Sequence, residues 1–158
     1  MPRTDYSSTE VARIAGVTYR TLDRWLNEDV VSCDVPAEGT GSRRRFEYRD
    51  VVFVIFARTL KDQGLPIAAV RGLIRAIRSA WTDDEPAHAG CLVVDSWSES
   101  TSGLWVPDAA RVAEFLPSIR ESGISRGERT GVLLIVDLAY LAQRAKEALA
   151  AVGRKGAA

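Results

Sequence analysis

The chain has 158 residues, of which 46% are hydrophobic and 27% charged, and its acidic and basic side chains are equal in number. This composition is typical of a globular protein with one or two small domains and argues against disorder over most of the chain. No apolar run approaches the roughly 20 residues of a membrane span, and the start MPRTDYSS lacks the apolar core of a secretory signal. We therefore expect a cytoplasmic protein that does not bind a membrane.

The zero net charge hides a division along the sequence. Through Ala80 there are 13 Lys and Arg against 10 Asp and Glu, whereas from Trp81 onward there are 8 against 11. The positive half contains the run Arg43, Arg44 and Arg45. Because phosphate contacts need a local excess of cations, this cluster favours a nucleic-acid partner for the first half.

Residues 6–27 carry the end signals of two short helices. Ser7 and Glu10 have the spacing of a capping box at the start of the first helix. Gly16 can take the left-handed conformation that ends it, and Thr18 can cap a second helix over about residues 19–27. Two helices joined by so tight a turn are typical of a helix-turn-helix.

The second of these helices is amphipathic. Leu22, Trp25 and Leu26 fall at core spacing, with Trp25 predicted to be buried. The outer face carries the polar and long side chains, which are Thr18, Tyr19, Arg20, Asp23 and Arg24.

A two-stranded wing and two further helices follow. Residues 30–48 have short apolar runs around a Gly-Thr-Gly tip, which predicts a hairpin with Val31, Val35 and Phe46 directed inward. An apolar helix begins at about Asp50, and another begins with Pro66 in its first turn.

The second half indicates a small α/β unit. The acidic, Pro-containing stretch 82–90 interrupts the apolar period and reads as a linker. Beyond it, two paired strands, a helix, the continuous apolar run GVLLIVD and an amphipathic helix predict a ββαβα order, with GVLLIVD a strand buried on both faces. We therefore predict an α+β protein with a DNA-binding domain at 1–81, a linker at 82–90, a ββαβα domain at 91–152 and a disordered tail at 153–158.

Three segments of the first half together resemble the MerR superfamily of bacterial winged-helix transcription regulators. They are YSSTEVARIAGVTYRTL in the helix-turn-helix, SRRRFEYRDV at the wing and third helix, and LKDQGLPIAAVRGLI between the third and fourth helices. After R-T-L, typical members continue R-Y-Y-[ED], whereas this chain has Asp23, Arg24, Trp25 and Leu26. This R-W form is closer to small developmental regulators and excisionase-like proteins. The long coiled-coil helix that dimerises typical members is not evident.

The resemblance implies a set of DNA-binding residues. Thr18, Tyr19 and Arg20 match the start of the recognition helix, which enters the major groove, and Arg20 is the expected reader of a base or phosphate. Arg24 is expected to hold phosphate.

In the wing, Arg44 matches the most regular arginine of the family, flanked by Arg43 and Arg45. Strand alternation directs Arg43 and Arg45 to one side and Arg44 to the other.

Structural alternatives stand beside these assignments. Arg24 could instead pair with Asp23 or Glu28 on its own helix, and Tyr19 could cover the edge of the core.

We considered a metal or ligand site and expect neither a cofactor nor a metal. His88, Cys91 and Cys33 are too few for a thiolate metal sensor, and we expect no disulfide between the two cysteines. Four aromatic residues of the second half serve either core packing or a dimer surface, or else an effector pocket; they are Trp97, Trp105, Phe115 and Tyr140.

The sequence therefore predicts a sequence-specific, nucleoid-associated DNA-binding transcription regulator that binds double-stranded DNA as a homodimer. The second half would dimerise or bind a protein partner or small-molecule effector. The alternatives are an excisionase-like protein that bends DNA for a recombinase, and a non-catalytic adaptor that senses a ligand or partner. An enzyme is not expected, because about 70 remaining residues are too few for a recombinase catalytic domain and the sequence offers neither a phosphate-cradling glycine loop nor a carboxylate cluster arranged for a metal.

Overall fold

The computed structural model describes residues 5–34, 44–80, 91–94, 103–106, 111–114 and 134–155. Helices and strands are mixed within this part of the chain, which confirms the predicted α+β class. None of the described helices is long and apolar enough to cross a membrane. In chain order the elements are β1 (Tyr6–Ser7), α1 (Ser8–Ala15), α2 (Tyr19–Asn27), β2 (Arg45–Phe46), α3 (Tyr48–Asp62), α4 (Ile67–Ala80), β3 (Cys91–Val94), β4 (Gly103–Val106), β5 (Leu134–Asp137) and α5 (Leu138–Lys155).

The predicted capping residues form the helix-turn-helix. The Ser7 hydroxyl accepts from the Glu10 amide at 3.3 Å, and the Glu10 carboxylate accepts from the Ser7 amide at 2.9 Å. Gly16 ends α1 with φ 67°, a left-handed conformation that glycine adopts at little cost. Thr18 caps α2 by accepting from the Thr21 amide at 3.1 Å. The sequence therefore determines both helix starts and the turn locally.

The strand of the predicted wing pairs with the N-terminal segment. Tyr6 is opposite Phe46 and Ser7 is opposite Arg45 in an antiparallel pair, and both aromatic rings are buried. The prediction of a hairpin within 30–48 was incomplete, because residues 30–34 form no strand and β1 supplies the described partner of β2. Val31 is buried, as predicted, whereas Val35 and the tip lie outside the described residues.

Helix α3 is the centre of the core. It contacts α1, β2, α4 and α5, and it is buried on nearly all sides, which explains its continuous apolar sequence. Its Phe53 and Phe56 rings meet edge to face with centroids 6.1 Å apart. Helix α4 follows the turn at Gly64, and the Pro66 carbonyl accepts from the Val70 amide at 3.1 Å. Pro66 therefore lies at the N-cap, one residue before the first turn in which the sequence predicted it.

The second half contains a three-stranded antiparallel sheet. Strand β3 is central, with β4 on one side and β5 on the other. The expectation that GVLLIVD is buried on both faces was wrong, because Ile135 of β5 is 50% exposed while Val136 is buried. Among the described strands, β5 lies at an edge of the sheet. An apolar run alone does not distinguish an edge strand from a central one. Of the helix predicted between β4 and β5, the structure describes a helical turn at 111–114.

Helix α5 packs on the helix-turn-helix half of the chain. It contacts α3 and α1 as well as β3. Leu138, Leu141 and Ala145 belong to the same buried cluster as the residues of α1 and α3. The helix continues to Lys155, so the disordered tail predicted from residue 153 was placed too early. Residues 82–90, the predicted linker, lie outside the described part.

Candidate nucleic-acid interface

The outward face of α2 presents long side chains that point away from the core. Tyr19 is 56% exposed and therefore does not cover the core, and Arg20 is exposed as well. Arg20 makes no ion pair within the described residues, so its guanidinium is free to donate to a base edge or phosphate. The opposite face is closed, because Trp25 is 2% exposed, as predicted. Thr18 lies at the exposed end of this face, where its hydroxyl also meets that of Thr21 at 2.8 Å.

Arg24, one turn further on, has an acidic partner on its own helix. Its guanidinium lies 3.7 Å from the Glu28 carboxylate, and both side chains are largely exposed. An exposed pair of this kind contributes little to stability, so Arg24 can exchange this partner for a phosphate at small cost. Of the two partners considered for Arg24 from the sequence, the structure pairs it with Glu28.

Arg44, the residue before β2, contacts α2. Its guanidinium donates to the Asp23 carboxylate, which also accepts from the Asn27 amide nitrogen at 3.3 Å. The hydrogen bond that Arg44 donates to Asp23 raises the pKa of Arg44 above its ordinary value, so the side chain stays charged. Only 23% of the Arg44 side chain is exposed. This ion pair therefore links the chain just before β2 to the outer face of α2.

Arg45 lies on the other side of the strand from Phe46, and it is paired as well. It donates to the carboxylate of Asp5, and both side chains are more than half exposed. Arg44 and Arg45 therefore contact different partners, as strand alternation requires. Arg43, the third arginine of the run, lies outside the described residues.

A buried carboxylate holds the loop after α2 against α3 and α4. Asp50 accepts from the Asp34 amide at 3.0 Å and the Glu47 amide at 3.2 Å, and Arg78 donates to it at 3.0 Å. Burial raises the pKa of Asp50, while these donors act in the opposite direction. Arg78 also lies over the Phe53 ring, 5.0 Å from its centroid. This cluster fixes the base of the wing relative to α2.

The cysteines and aromatic residues of the alternative sites are dispersed. Cys33 is half-buried after α2, where burial raises the pKa of its thiol, and Cys91 is buried in β3; neither forms a disulfide. No group of three potential metal ligands occurs within the described ranges. Tyr140 is 55% exposed, so it is not a core residue, and Trp105 lies in β4. His88, Trp97 and Phe115 lie outside the described residues.

Sequence reasoning missed the acidic partners of the wing. Asp5 and Asp23 pair with arginines 40 and 21 positions away. No local spacing rule connects such distant residues. The available signal was the zero net charge itself, because a basic cluster in a neutral chain needs acidic residues nearby or elsewhere in the fold.

Comparisons with known proteins agree with this geometry. Residues 6–77 match the model of the MerR HTH family regulatory proteins. Proteins of Mycobacterium tuberculosis and Mycobacterium bovis, each described as an "Uncharacterized HTH-type transcriptional regulator", are 28% identical to this chain over 129 residues. That alignment covers 81% of this chain and 57% of each relative, so the chain spans little more than half the length of these curated relatives. The alignment with these relatives is longer than the family match, so it includes part of the second half.

Both helices with their caps, the exposed arginines of α2, helix α3 and most of α4 lie within the matched segment. Residues 6–77 of this chain therefore form a MerR-family helix-turn-helix domain.

Proposed function

We propose that this protein is a sequence-specific DNA-binding transcription regulator, present on the nucleoid in the cytoplasm, and not an enzyme. The observation that carries the proposal is the junction of α2 and the wing. The pair between Asp23 and Arg44 holds a wing arginine beside the outer face of the recognition helix, on which Arg20 is exposed. A helix that reads base edges and an adjacent cation that contacts phosphate are the two parts of a winged-helix interface.

In this proposal α2 enters the major groove with its N-terminal turn leading. Thr18, Tyr19 and Arg20 then face the bases, and Arg24 faces the phosphate backbone. The wing arginines, which are Arg43, Arg44 and Arg45, contact the backbone beside the groove. The description of the mycobacterial relatives as HTH-type transcriptional regulators supports the regulatory role.

We further propose that the protein binds DNA as a homodimer through its second half. Strand β5 forms an edge of the sheet, and the nearby Ile135 and Tyr140 are both about half exposed. Exposed apolar side chains beside an open strand edge favour pairing with a second copy. Two copies would place two recognition helices on successive major grooves, about 34 to 36 Å apart.

The test is to map the DNA sites that the full chain occupies in its native cell by chromatin immunoprecipitation. Enrichment at promoters, with a shared motif in two half-sites and altered transcription of the adjacent genes after deletion, is the expected result. The Arg24-Trp25 sequence resembles that of excisionase-like proteins, so the same experiment also tests whether the protein bends DNA for a recombinase. Enrichment confined to a recombination attachment site, with no change in transcription, would overturn the regulatory proposal.

A further inference from the structure

Three of the described arginines in the proposed interface are already paired with carboxylates. Arg24 pairs with Glu28, Arg44 with Asp23, and Arg45 with Asp5. These pairs reduce the positive potential that the free protein presents to any DNA. They explain how a basic cluster occurs in a chain of zero net charge.

The pair between Arg44 and Asp23 differs from the other two. It joins residues on different elements, and its arginine is the least exposed of the three, at 23% compared with 60% for Arg24 and 59% for Arg45. Asp23 also lies on the α2 face that would enter the groove, where it accepts from Asn27. The Asp23 carboxylate occupies the Nη1 donor of Arg44, so a phosphate that binds through this atom must displace the carboxylate, which would then lie against DNA.

We propose that Asp23 is a specificity-determining residue that withholds Arg44 from non-specific phosphate contacts. This inference rests on the proposed function. Non-specific affinity comes from phosphate contacts that release counterions, and an arginine held by a carboxylate contributes less to it. Once Arg44 leaves, Asp23 is repelled by the backbone unless a base donates to it, as the cytosine amino group can. Sequences without such a donor are therefore rejected by an unpaired charge.

The opposite role for Asp23 would be to orient Arg44 toward the phosphate. The two roles predict opposite signs when the carboxylate is neutralised at constant shape. If Asp23 withholds Arg44, Asp23→Asn tightens non-specific binding. If Asp23 orients Arg44, the same change weakens binding as Arg44→Ala does.

The experiment measures the affinity of the full chain for a labelled 30-base-pair mixed-sequence duplex by fluorescence anisotropy over a range of salt concentrations. Asp23→Asn is expected to tighten binding about three- to tenfold and to steepen the salt slope by about 0.9, the value for one added phosphate contact. The matched control is Asp62→Asn, which removes the same charge from an exposed pair with Arg58 on α3. It is expected to change the affinity less than about twofold.

A second pair of variants tests whether the effect passes through Arg44. In the Arg44→Ala background, Asp23→Asn is expected to leave both the affinity and the salt slope nearly unchanged. An equal gain in that background, an equal gain in Asp62→Asn, or weaker binding in Asp23→Asn would each overturn the inference. Thermal unfolding of every variant checks that the fold is kept.

The proposed function fails in a different way. It fails if the unaltered chain binds no duplex, or if Arg20→Ala and Arg44→Ala both bind the most strongly occupied genomic site as the unaltered chain does. The withholding role of Asp23 fails when these variants lose affinity and Asp23→Asn gains none.

Discussion

Arg78 in the last turn of α4 donates to Asp50 in the first turn of α3. The Asp50 side chain is 7% exposed. The same carboxylate accepts from the Asp34 and Glu47 amides, so one side chain joins α3, α4 and the segment after α2. Removing the Asp50 carboxylate would leave the Arg78 guanidinium and these two amides without their acceptor.

We expect Asp50→Ala to destabilise the fold by about 3 kcal/mol. Urea titrations of the variant and the unaltered chain give the difference in their free energies of unfolding. Asp62→Ala is the control, because it removes an exposed partner of Arg58 and is expected to cost less than about 1 kcal/mol. Equal losses in the two variants would show that the Asp50 cluster does not hold these elements together.

Cys33 reports on the charges at the base of the wing. Burial raises the pKa of its thiol, Arg44 lowers it, and Asp50 raises it further. Because the thiolate is the reactive form, alkylation of Cys33 by iodoacetamide should reach half its maximal rate at a higher pH than a free thiol.

Arg44→Ala should move that midpoint to still higher pH, since a cation that favours the thiolate is lost. Arg58→Ala, which removes an exposed arginine from α3, should leave it in place. Mass spectrometry of the Cys33 peptide gives the rates, and modification of the buried Cys91 would show unfolding. A midpoint at or below that of a free thiol would contradict the burial of Cys33.

Leu141 on α5 is expected to stabilise the helix-turn-helix half from more than 100 residues away in sequence. It is 4% exposed and shares the buried cluster of α1 and α3. Leu141→Ala should cost about 2 to 4 kcal/mol and reduce the hydrogen-exchange protection of α1 and α3 amides. Gln143→Ala, which loses only an exposed hydrogen bond to Glu147, should leave that protection unchanged. Unaltered protection in Leu141→Ala would indicate that α5 and the helix-turn-helix fold independently.

Ile135 on β5 tests the proposed dimer surface. Because it is half exposed in the single chain, Ile135→Glu should fold normally. At an interface the new charge would be buried without a partner, which should weaken dimerisation about a hundredfold. Sedimentation equilibrium measures the change, with Ala150→Glu at an exposed position of α5 as the control. Dimerisation of the Ile135 variant at the affinity of the unaltered chain would place the interface elsewhere.

Local rules predicted the helices of the first half well. The Ser7–Glu10 box, the Gly16 turn and the Thr18 cap each depend on residues within three positions of one another, and the structure has all of them. The two-residue strands β1 and β2 have no periodicity to detect, so their pairing was missed.

Long-range contacts account for the remaining differences. The partners of Arg44 and Arg45, the edge position of β5 and the docking of α5 on α1 and α3 each depend on how distant segments meet. For the same reason the sequence identified these arginines as candidates for DNA contact but could not identify the carboxylates that pair with them.

The most direct test of the proposed interface is the base preference of the Arg20→Ala variant. Fluorescence anisotropy would measure its affinity for every single-base variant of the most strongly occupied genomic site, at fixed salt. We expect the variant to lose about 1 to 3 kcal/mol of discrimination at one base pair, as one lost bidentate contact requires. Arg144→Ala, which removes an exposed arginine from α5, should keep every preference. An Arg20 variant with the affinity and base preferences of the unaltered chain would contradict the placement of α2 in the major groove.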